Sequence, residues 1–243
     1  EEASHWSRHG GSKHSAPKPL YTAADAVRAL DSLVPVDFDR PVDVAPGMSA
    51  TFVPAGHILG AAQVRVTVAG QTVHFTGDLG RQSDPLMNPP RPLDPCDILV
   101  TESTYGDRSH EHTDVEVQLA DVINRVVRRN GVCIIPAFAV GRTETVLLHL
   151  ARLRADGRIP EVPIYLNSPM ALNATVIYRA HPEEHKVSTD EFSRMYDQVI
   201  PVRTVDESKL LNLRGGPMII ISASGMVTGG RVLHHIAAYG SDP

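Results

Sequence analysis

The run TGDLGR, at residues 76–81, is the most informative part of this sequence. It directly follows a short apolar run, Val73-His74-Phe75, that is typical of a β-strand, so Asp78 stands just beyond a strand end. Three polar residues of the chain share this position after a strand-like run: His57, Asp78 and Glu102. Because the ends of neighbouring strands can meet at one rim of a sheet, we expect these side chains to converge there.

An imidazole and two carboxylates at one rim can bind or organise hard-to-borderline cations. A simpler interpretation also fits the residue types. His57 would then be a turn histidine, Asp78 part of a Gly-Asp turn, and Glu102 a carboxylate that caps the turn after it. By residue type alone the simpler interpretation is the commoner outcome, so the metal hypothesis needs the wider sequence pattern.

The chain changes its pattern after Glu102. Upstream, a helical segment over residues 23–33 precedes short strand-like runs between residues 42 and 100, with a hairpin predicted at Ala69-Gly70. Downstream, three units of strand, loop and helix predict a parallel sheet flanked by helices, in an α/β fold. We place the domain change near Arg108, which gives domains of residues 1–107 and 108–243.

Four residues of the second domain stand where a loop runs into a predicted helix: Arg142, Ser168, Ser224 and Arg231. Backbone N–H groups at a helix start, next to a hydroxyl or a guanidinium, suit phosphate oxygens. Helix caps and surface arginines are the equally common alternative for each residue taken singly.

Composition excludes several classes of protein. With 42% hydrophobic and 21% charged residues the chain is not disordered, and no apolar run is long enough to cross a bilayer. The net charge is −5, and the acidic excess lies in residues 1–107, so composition alone does not indicate a nucleic-acid binder. Cys133 sits in an apolar run and is predicted to be a buried free thiol, which together with the distant Cys96 favours a reducing, cytoplasmic compartment.

Taken together, the motifs resemble the β-CASP branch of the metallo-β-lactamase-fold nucleases. The resemblance covers nearly the whole chain, and its motifs occur in the family's order. They are Pro19 to Thr22, Gly56-His57, Gly77-Asp78, Glu102 to Asp107, IPAFAVGR at residues 135–142, YLNSPMA at residues 165–171, SASGM at residues 222–226 and GGR at residues 229–231.

The resemblance implies a partial metallo-β-lactamase αββα sandwich followed by a β-CASP cassette. It implies two zinc ions, with His57 as a ligand of one ion and Asp78 as a bridge between both. Glu102 would hydrogen-bond a histidine that lies outside this chain and help it to pass a proton to the leaving oxygen. The implied reaction is hydrolysis of single-stranded RNA by water attack on phosphorus, with no membrane partner and with homodimer formation left open.

This sequence also departs from the family pattern. The motif His-x-His-x-Asp-His, expected upstream, is absent, as are two histidines expected after residue 231, so we expect a fragment that lacks both ends and is inactive alone. Asn167 stands where relatives usually carry aspartate. Two other functions stay open: a non-catalytic RNA-binding or scaffold subunit, and a small-molecule hydrolase of the same fold.

Several other histidines imitate ligand patterns without a suitable context. His5 and His9, and the run His110-Glu111-His112, lie in polar, loop-like segments. His234 and His235 are neighbours on a predicted helix and point about 100° apart, and His74 alternates within a strand. None of them is expected to bind a metal.

Overall fold

The computed structural model describes residues 19–109 and 113–241, which form helices and strands in the following order. They are α1 (Ala23–Leu30), β1 (Val42–Ala45), β2 (Met48–Pro54), β3 (Ala62–Val68), β4 (Gln71–Phe75), β5 (Ile98–Val100), α2 (Val115–Arg128), β6 (Val132–Pro136), α3 (Arg142–Ala155), β7 (Ile164–Asn167), α4 (Pro169–Ala180), α5 (Thr189–Asp197), β8 (Val199–Pro201), α6 (Val205–Leu211), β9 (Met218–Ser222) and α7 (Val232–Tyr239). The predictions made for His5, His9 and His110-Glu111-His112 fall outside the described residues.

Helix α1 begins where the sequence predicts. The Thr22 hydroxyl accepts a hydrogen bond from the Asp25 N–H, and the Asp25 carboxylate accepts one from the Thr22 N–H, which completes a capping box. The helix ends at Leu30, three residues before the predicted end, because the next residues form turns before Pro35.

The first sheet has the strand order β1-β2-β3-β4-β5. Strands β1 to β4 run antiparallel to their neighbours, and β5 pairs parallel with β4. Ala69 and Gly70 join β3 to β4 with φ angles of 50° and 77°, so the predicted hairpin is confirmed as a two-residue turn of the I′ kind. His74 is packed as predicted, at 2% exposure, with its Nε2 atom 3.1 Å from Gln63 Oε1.

Strand β5 lies at an edge of this sheet within the described part of the chain. Its three residues, Ile98, Leu99 and Val100, are each about half exposed. Between residues 41 and 109 the structure describes strands and loops but no helix, so it shows one sheet of the expected sandwich.

The second sheet is parallel throughout, in the order β6-β9-β7-β8, and helices α2 to α7 alternate with its strands along the chain. This confirms the predicted parallel sheet. Ile219 and Ile221 of β9 pack into one apolar cluster, whereas Met218 and Ile220 pack into another. Alternate side chains of the strand are therefore buried on both faces, which is the usual setting of a parallel sheet.

The larger cluster forms the main core. Fully buried aliphatic side chains of this kind each contribute about 1.5–3 kcal/mol relative to exposure. Its members include Ile123, Leu147, Leu150, Leu153, Ile164, Leu166, Phe192, Met195, Ile219 and Ile221. Cys133 is buried in the same cluster as a free thiol, as predicted, and burial raises its pKa to about 11.

No helix in the described residues is long and apolar enough to span a bilayer. The predicted domain boundary at residues 107/108 falls in the connection between β5 and α2. It stays a prediction.

Candidate functional site

Two loops carry His57 and Asp78, and glycines bring these loops together. Gly80 donates its N–H to the Ala55 carbonyl at 2.9 Å, and a Cβ atom on Gly80 would overlap the Gly56 carbonyl. Gly56 has a φ of +65°, where a side chain is disfavoured, and a Cβ atom there would also meet the backbone of residues 88–90. Backbone therefore packs directly on backbone, which sets the spacing of the two functional side chains.

The structure brings His57 and Asp78 to one point, as the sequence predicts. The His57 Nε2 atom lies 4.0 Å from Asp78 Oδ2, and both side chains are open to solvent. A cation bonds imidazole nitrogen at about 2.0–2.1 Å and carboxylate oxygen at about 2.0–2.2 Å. On one tetrahedral zinc ion these two donor atoms would lie about 3.4 Å apart, so the observed 4.0 Å is slightly longer than in a bound state. A small side-chain movement would let one ion contact both atoms.

The pair by itself is an incomplete site. Residues 19–109 and 113–241 contain no group of three or more His, Cys, Asp or Glu side chains arranged to hold a metal. Zinc sites use at least three protein ligands. A full site would need donors beyond His57 and Asp78.

Glu102 fixes the loop that carries Asp78. Its Oε1 atom accepts a hydrogen bond from the Leu79 N–H at 2.7 Å, and its own N–H donates to the Thr76 hydroxyl at 3.2 Å. The bond from Leu79, followed by that from the Thr104 hydroxyl, holds the pKa of Glu102 below its ordinary value. The contact with Thr104 also agrees with the capping alternative, and the histidine partner implied by the resemblance stays a prediction.

The cassette reaches the His57 loop through Gly141. This residue has a φ of +81°, and a Cβ atom placed on it would lie 2.9 Å from Ile58 Cγ2. The loop before α3 and the loop after His57 are therefore in direct contact.

The four predicted phosphate residues of the cassette differ in their surroundings. Ser168 is buried and caps α4 by accepting the Ala171 N–H at 3.3 Å. The Ser224 hydroxyl donates to the Gly229 carbonyl at 3.2 Å. Arg142, at the start of α3, is exposed and has no hydrogen bond or ion pair from its side chain to any described residue. Of these three, Arg142 alone has its functional group fully available.

The guanidinium of Arg231 is engaged inside the protein. It donates to Asn167 Oδ1 at 2.7 Å, to the Val202 carbonyl at 3.2 Å and to the Arg203 carbonyl at 3.0 Å. These bonds tie the start of α7 to the ends of β7 and β8. The contacts agree with a structural role better than with the predicted phosphate role.

Asn167 also anchors a buried polar network that the sequence interpretation missed. Its Nδ2 atom donates to Ser208 Oγ at 2.7 Å and lies 2.6 Å from His235 Nε2, while His235 Nδ1 contacts Asn212 Oδ1. This arrangement requires a neutral His235 with its proton on Nδ1. Burial, followed by the charges of His234 and Arg231, lowers the pKa of His235 to about 4.

Glu144 is a second buried polar residue that the sequence interpretation missed. It is 0% exposed, its Oε1 atom accepts the Tyr196 hydroxyl at 3.4 Å, and its Oε2 atom has no partner among the described residues. Burial raises the pKa of this carboxyl to about 7. Burial likewise raises the pKa values of Tyr178 and Tyr196. The nearness of Glu144 to the Gly141-Arg142 motif is the only signal that points to it in the sequence.

Comparison with known proteins gives one family and several relatives. Residues 143–243 match the Beta-Casp domain. The chain is 32% identical over 237 residues to "Ribonuclease TTHA0252" of Thermus thermophilus, in a match that covers 93% of this chain and 53% of that protein. It is 31% identical to "Transcription termination factor FttA" of Methanosarcina mazei, with 92% and 37% covered.

A eukaryotic relative gives a similar result. The chain is 30% identical over 239 residues to "Cleavage and polyadenylation specificity factor 73" of Drosophila melanogaster, with 94% of this chain and 34% of that protein covered. The chain thus spans about half or less of the length of these relatives. Residues 143–243, which include most of the flanked parallel sheet, therefore form a Beta-Casp domain, and the chain is similar to these relatives along nearly all of its length.

Proposed function

We propose that the complete protein is a metal-dependent ribonuclease that hydrolyses phosphodiester bonds of single-stranded RNA, in RNA processing or decay. The observation that carries the proposal is the His57–Asp78 pair, 4.0 Å apart at the end of strand-following loops and open to solvent. Relatives at 30–32% identity that are named as a ribonuclease and a cleavage factor support it.

The roles of the site residues follow from their chemistry. The neutral imidazole of His57 would hold one zinc ion, and the two carboxylate oxygens of Asp78 can each bind a separate ion. Bound metal would supply a hydroxide at neutral pH and neutralise the charge of the attacked phosphate. Glu102 keeps the Leu79 backbone, and with it Asp78, in place. It would also orient a histidine from another part of the complete protein.

The β-CASP part of the chain would bind the RNA substrate. Arg142, whose guanidinium has no partner among the described residues, would bind a phosphate of the RNA. Ser168, Ser224 and Arg231 would act by shaping the loops at the carboxyl ends of the strands. The proposal places the enzyme in the cytoplasm, where the free thiols of Cys96 and Cys133 are stable. The proposal also includes a homodimer, which analytical sedimentation of the complete protein would detect.

The test replaces Asp78 with Asn in the complete protein. Asn keeps the shape but cannot bridge two cations through paired anionic oxygens, so cleavage of single-stranded RNA should fall at least about 100-fold, within the range lost when a charge-stabilising group is removed. An Asp94→Asn variant, which removes one exposed carboxylate elsewhere in the first sheet region, serves as the control. Full RNA cleavage by the Asp78→Asn variant would overturn the assignment.

The second candidate is a non-catalytic RNA-binding or scaffold subunit. Arg142 supports it, because an exposed guanidinium can bind an RNA phosphate whether or not a metal is present. The convergence of His57 and Asp78 argues against it, because binding RNA does not require that pair. RNA binding without metal-dependent cleavage by the complete protein would favour this candidate. Turnover of ester substrates instead of RNA would indicate a small-molecule hydrolase.

A further inference from the structure

Phe138 is a half-exposed aromatic residue on the loop after β6. Its side chain is 52% exposed, although the preceding Ala137 is buried. Met170, in the first turn of α4 after β7, and Met226, on the loop after β9, are also largely exposed, at 67% and 68%. Because β9 lies between β6 and β7, these three segments are neighbours at the carboxyl edge of the sheet. Large apolar side chains are therefore gathered at the edge where parallel sheets bind their ligands.

The backbone around Phe138 is held on both sides. The Ala137 N–H donates to the Ser222 carbonyl at 3.0 Å. The Phe138 carbonyl accepts both the backbone N–H of Thr143, at 3.2 Å, and its hydroxyl, at 2.7 Å. These hydrogen bonds fix the loop before any ligand binds, so a ligand that contacts Phe138 does not have to order the loop first.

The side chain of Phe138 packs against Gly225. A Cβ atom on Gly225 would lie 2.9 Å from the Phe138 nitrogen and 3.1 Å from its Cδ2 atom, closer than side chains normally come. The missing side chain of Gly225 thus lets the ring pack closely against the loop after β9 while about half of Phe138 stays exposed. The fold positions the aromatic ring without burying it.

A positive charge lies close to Phe138 along the chain. Arg142 follows four residues later, is exposed, and has no side-chain partner among the described residues. The same loop touches the His57 loop, since Gly141 abuts Ile58. A ligand that covers the ring and meets Arg142 needs a flat apolar face joined to an anion. Single-stranded nucleic acid has this combination, because its bases stack on aromatic rings and its phosphates pair with arginine.

We propose that Phe138 stacks on one base of a single-stranded RNA substrate and that Arg142 binds a neighbouring phosphate. This inference rests on the proposed function and names a substrate contact for it. Every base has a flat face, so the contact holds the strand next to the metal loops without selecting its sequence.

The experiment uses the complete protein with Asp78→Asn, so that bound RNA stays intact. Binding is titrated with single-stranded RNA that carries one 2-aminopurine, whose fluorescence falls when it stacks. Phe138→Ala should raise the Kd about 5- to 100-fold and remove the quenching at one position of the probe, as expected for the loss of one base–aromatic stack. Phe138→Trp should keep both signals.

Arg142→Gln tests the phosphate contact separately. It should weaken binding and lower the slope of log Kd against log salt by about one. Leu210→Ala is the matched control, because it removes a 63% exposed apolar side chain from α6 and should leave the Kd unchanged. Thermal unfolding of each variant checks that the fold is kept.

Several outcomes would overturn the inference. If Phe138→Ala keeps the wild-type Kd and the wild-type quenching, the proposed stack is wrong. The ribonuclease proposal still stands in that case, provided that the protein with Asp78 intact cleaves RNA. A change of oligomeric state in Phe138→Ala would identify the ring as a contact between copies. If the Asp78 form neither binds nor cleaves RNA, the proposed function itself fails.

Discussion

At the scale of single residues, the buried carboxyl of Glu144 makes a clear prediction about pH. Its pKa is raised from 4.5 to about 7 by burial. The stability that the neutral carboxyl contributes is therefore complete below pH 4.5 and is lost as the pH rises through 7. Glu144→Gln keeps the shape without the charge. It should raise the free energy of unfolding by about 3 kcal/mol at pH 8 but by less than about 1 kcal/mol at pH 5.

Urea unfolding at both pH values measures this difference. The exposed Glu161→Gln variant is the control and should show no such pH dependence. Equal stabilities of wild type and Glu144→Gln at pH 8 would show that Glu144 is not buried as described.

Asn167 makes a second prediction at this scale, about the protonation of His235. The Asn167 amide donates to Nε2 of His235, a ring that burial, followed by the charges of His234 and Arg231, keeps neutral. A carboxylate at residue 167 would instead accept a proton from Nε2 and favour the charged ring. Asn167→Asp should therefore raise the pKa of His235 from about 4 toward the ordinary value of about 6.5.

An NMR pH titration of the His235 ring protons measures the change. Asn173→Asp adds the same charge at an exposed position of α4 and should leave the His235 titration where it is. A pKa that stays near 4 in Asn167→Asp would contradict the assigned network.

At the scale of elements, the packed glycine loops set the spacing of His57 and Asp78. Gly80 has an ordinary φ, so Gly80→Ala tests its steric contact with the Gly56 carbonyl and the His57 nitrogen without adding backbone strain. We expect a loss of about 1–3 kcal/mol in the free energy of unfolding, the usual cost of overpacking. Gly215→Ala, where a Cβ atom would meet no atom within 4 Å, is the matched control. Equal unfolding midpoints for the two variants would disprove the close packing.

The elements that could be predicted are those whose pattern is local. The strand-like runs between residues 42 and 100 and the parallel sheet after them could be predicted, because apolar β-type runs end at turn residues. Helices α5 and α6 and the three-residue strand β8 were missed. These elements are short and largely exposed, so their existence depends on packing more than on pattern. Helix α2 was also missed, although its N-cap, Asp114, is visible in the sequence.

At the scale of the whole molecule, the incomplete metal group predicts weak metal binding by this chain alone. Two ligands, His57 and Asp78, do not match the three or four that zinc sites use. Isothermal titration of this chain with zinc should show a Kd no tighter than about micromolar. His57→Ala should abolish the zinc binding that depends on His57 and Asp78. Tight, stoichiometric binding that survives in His57→Ala would show that other residues hold the metal.

The candidate site could be predicted only in part, for a geometric reason. His57, Asp78 and Glu102 each follow a strand, so their convergence could be inferred from position. The partners of Asn167 lie 41 to 68 residues away, and those of Glu144 lie on a different helix. No local pattern carries such pairings. For the same reason Arg231 was expected to bind phosphate, whereas its guanidinium is held by Asn167 and two carbonyls.

The half-exposed strand β5 has a practical consequence for anyone who isolates this chain. An exposed apolar edge strand can pair with the same strand of another molecule, and natural proteins usually prevent this with charged residues or proline at the edge. Concentrated preparations should therefore tend toward gels and precipitates. Lysine in place of Leu99 would be the simplest remedy for solubility.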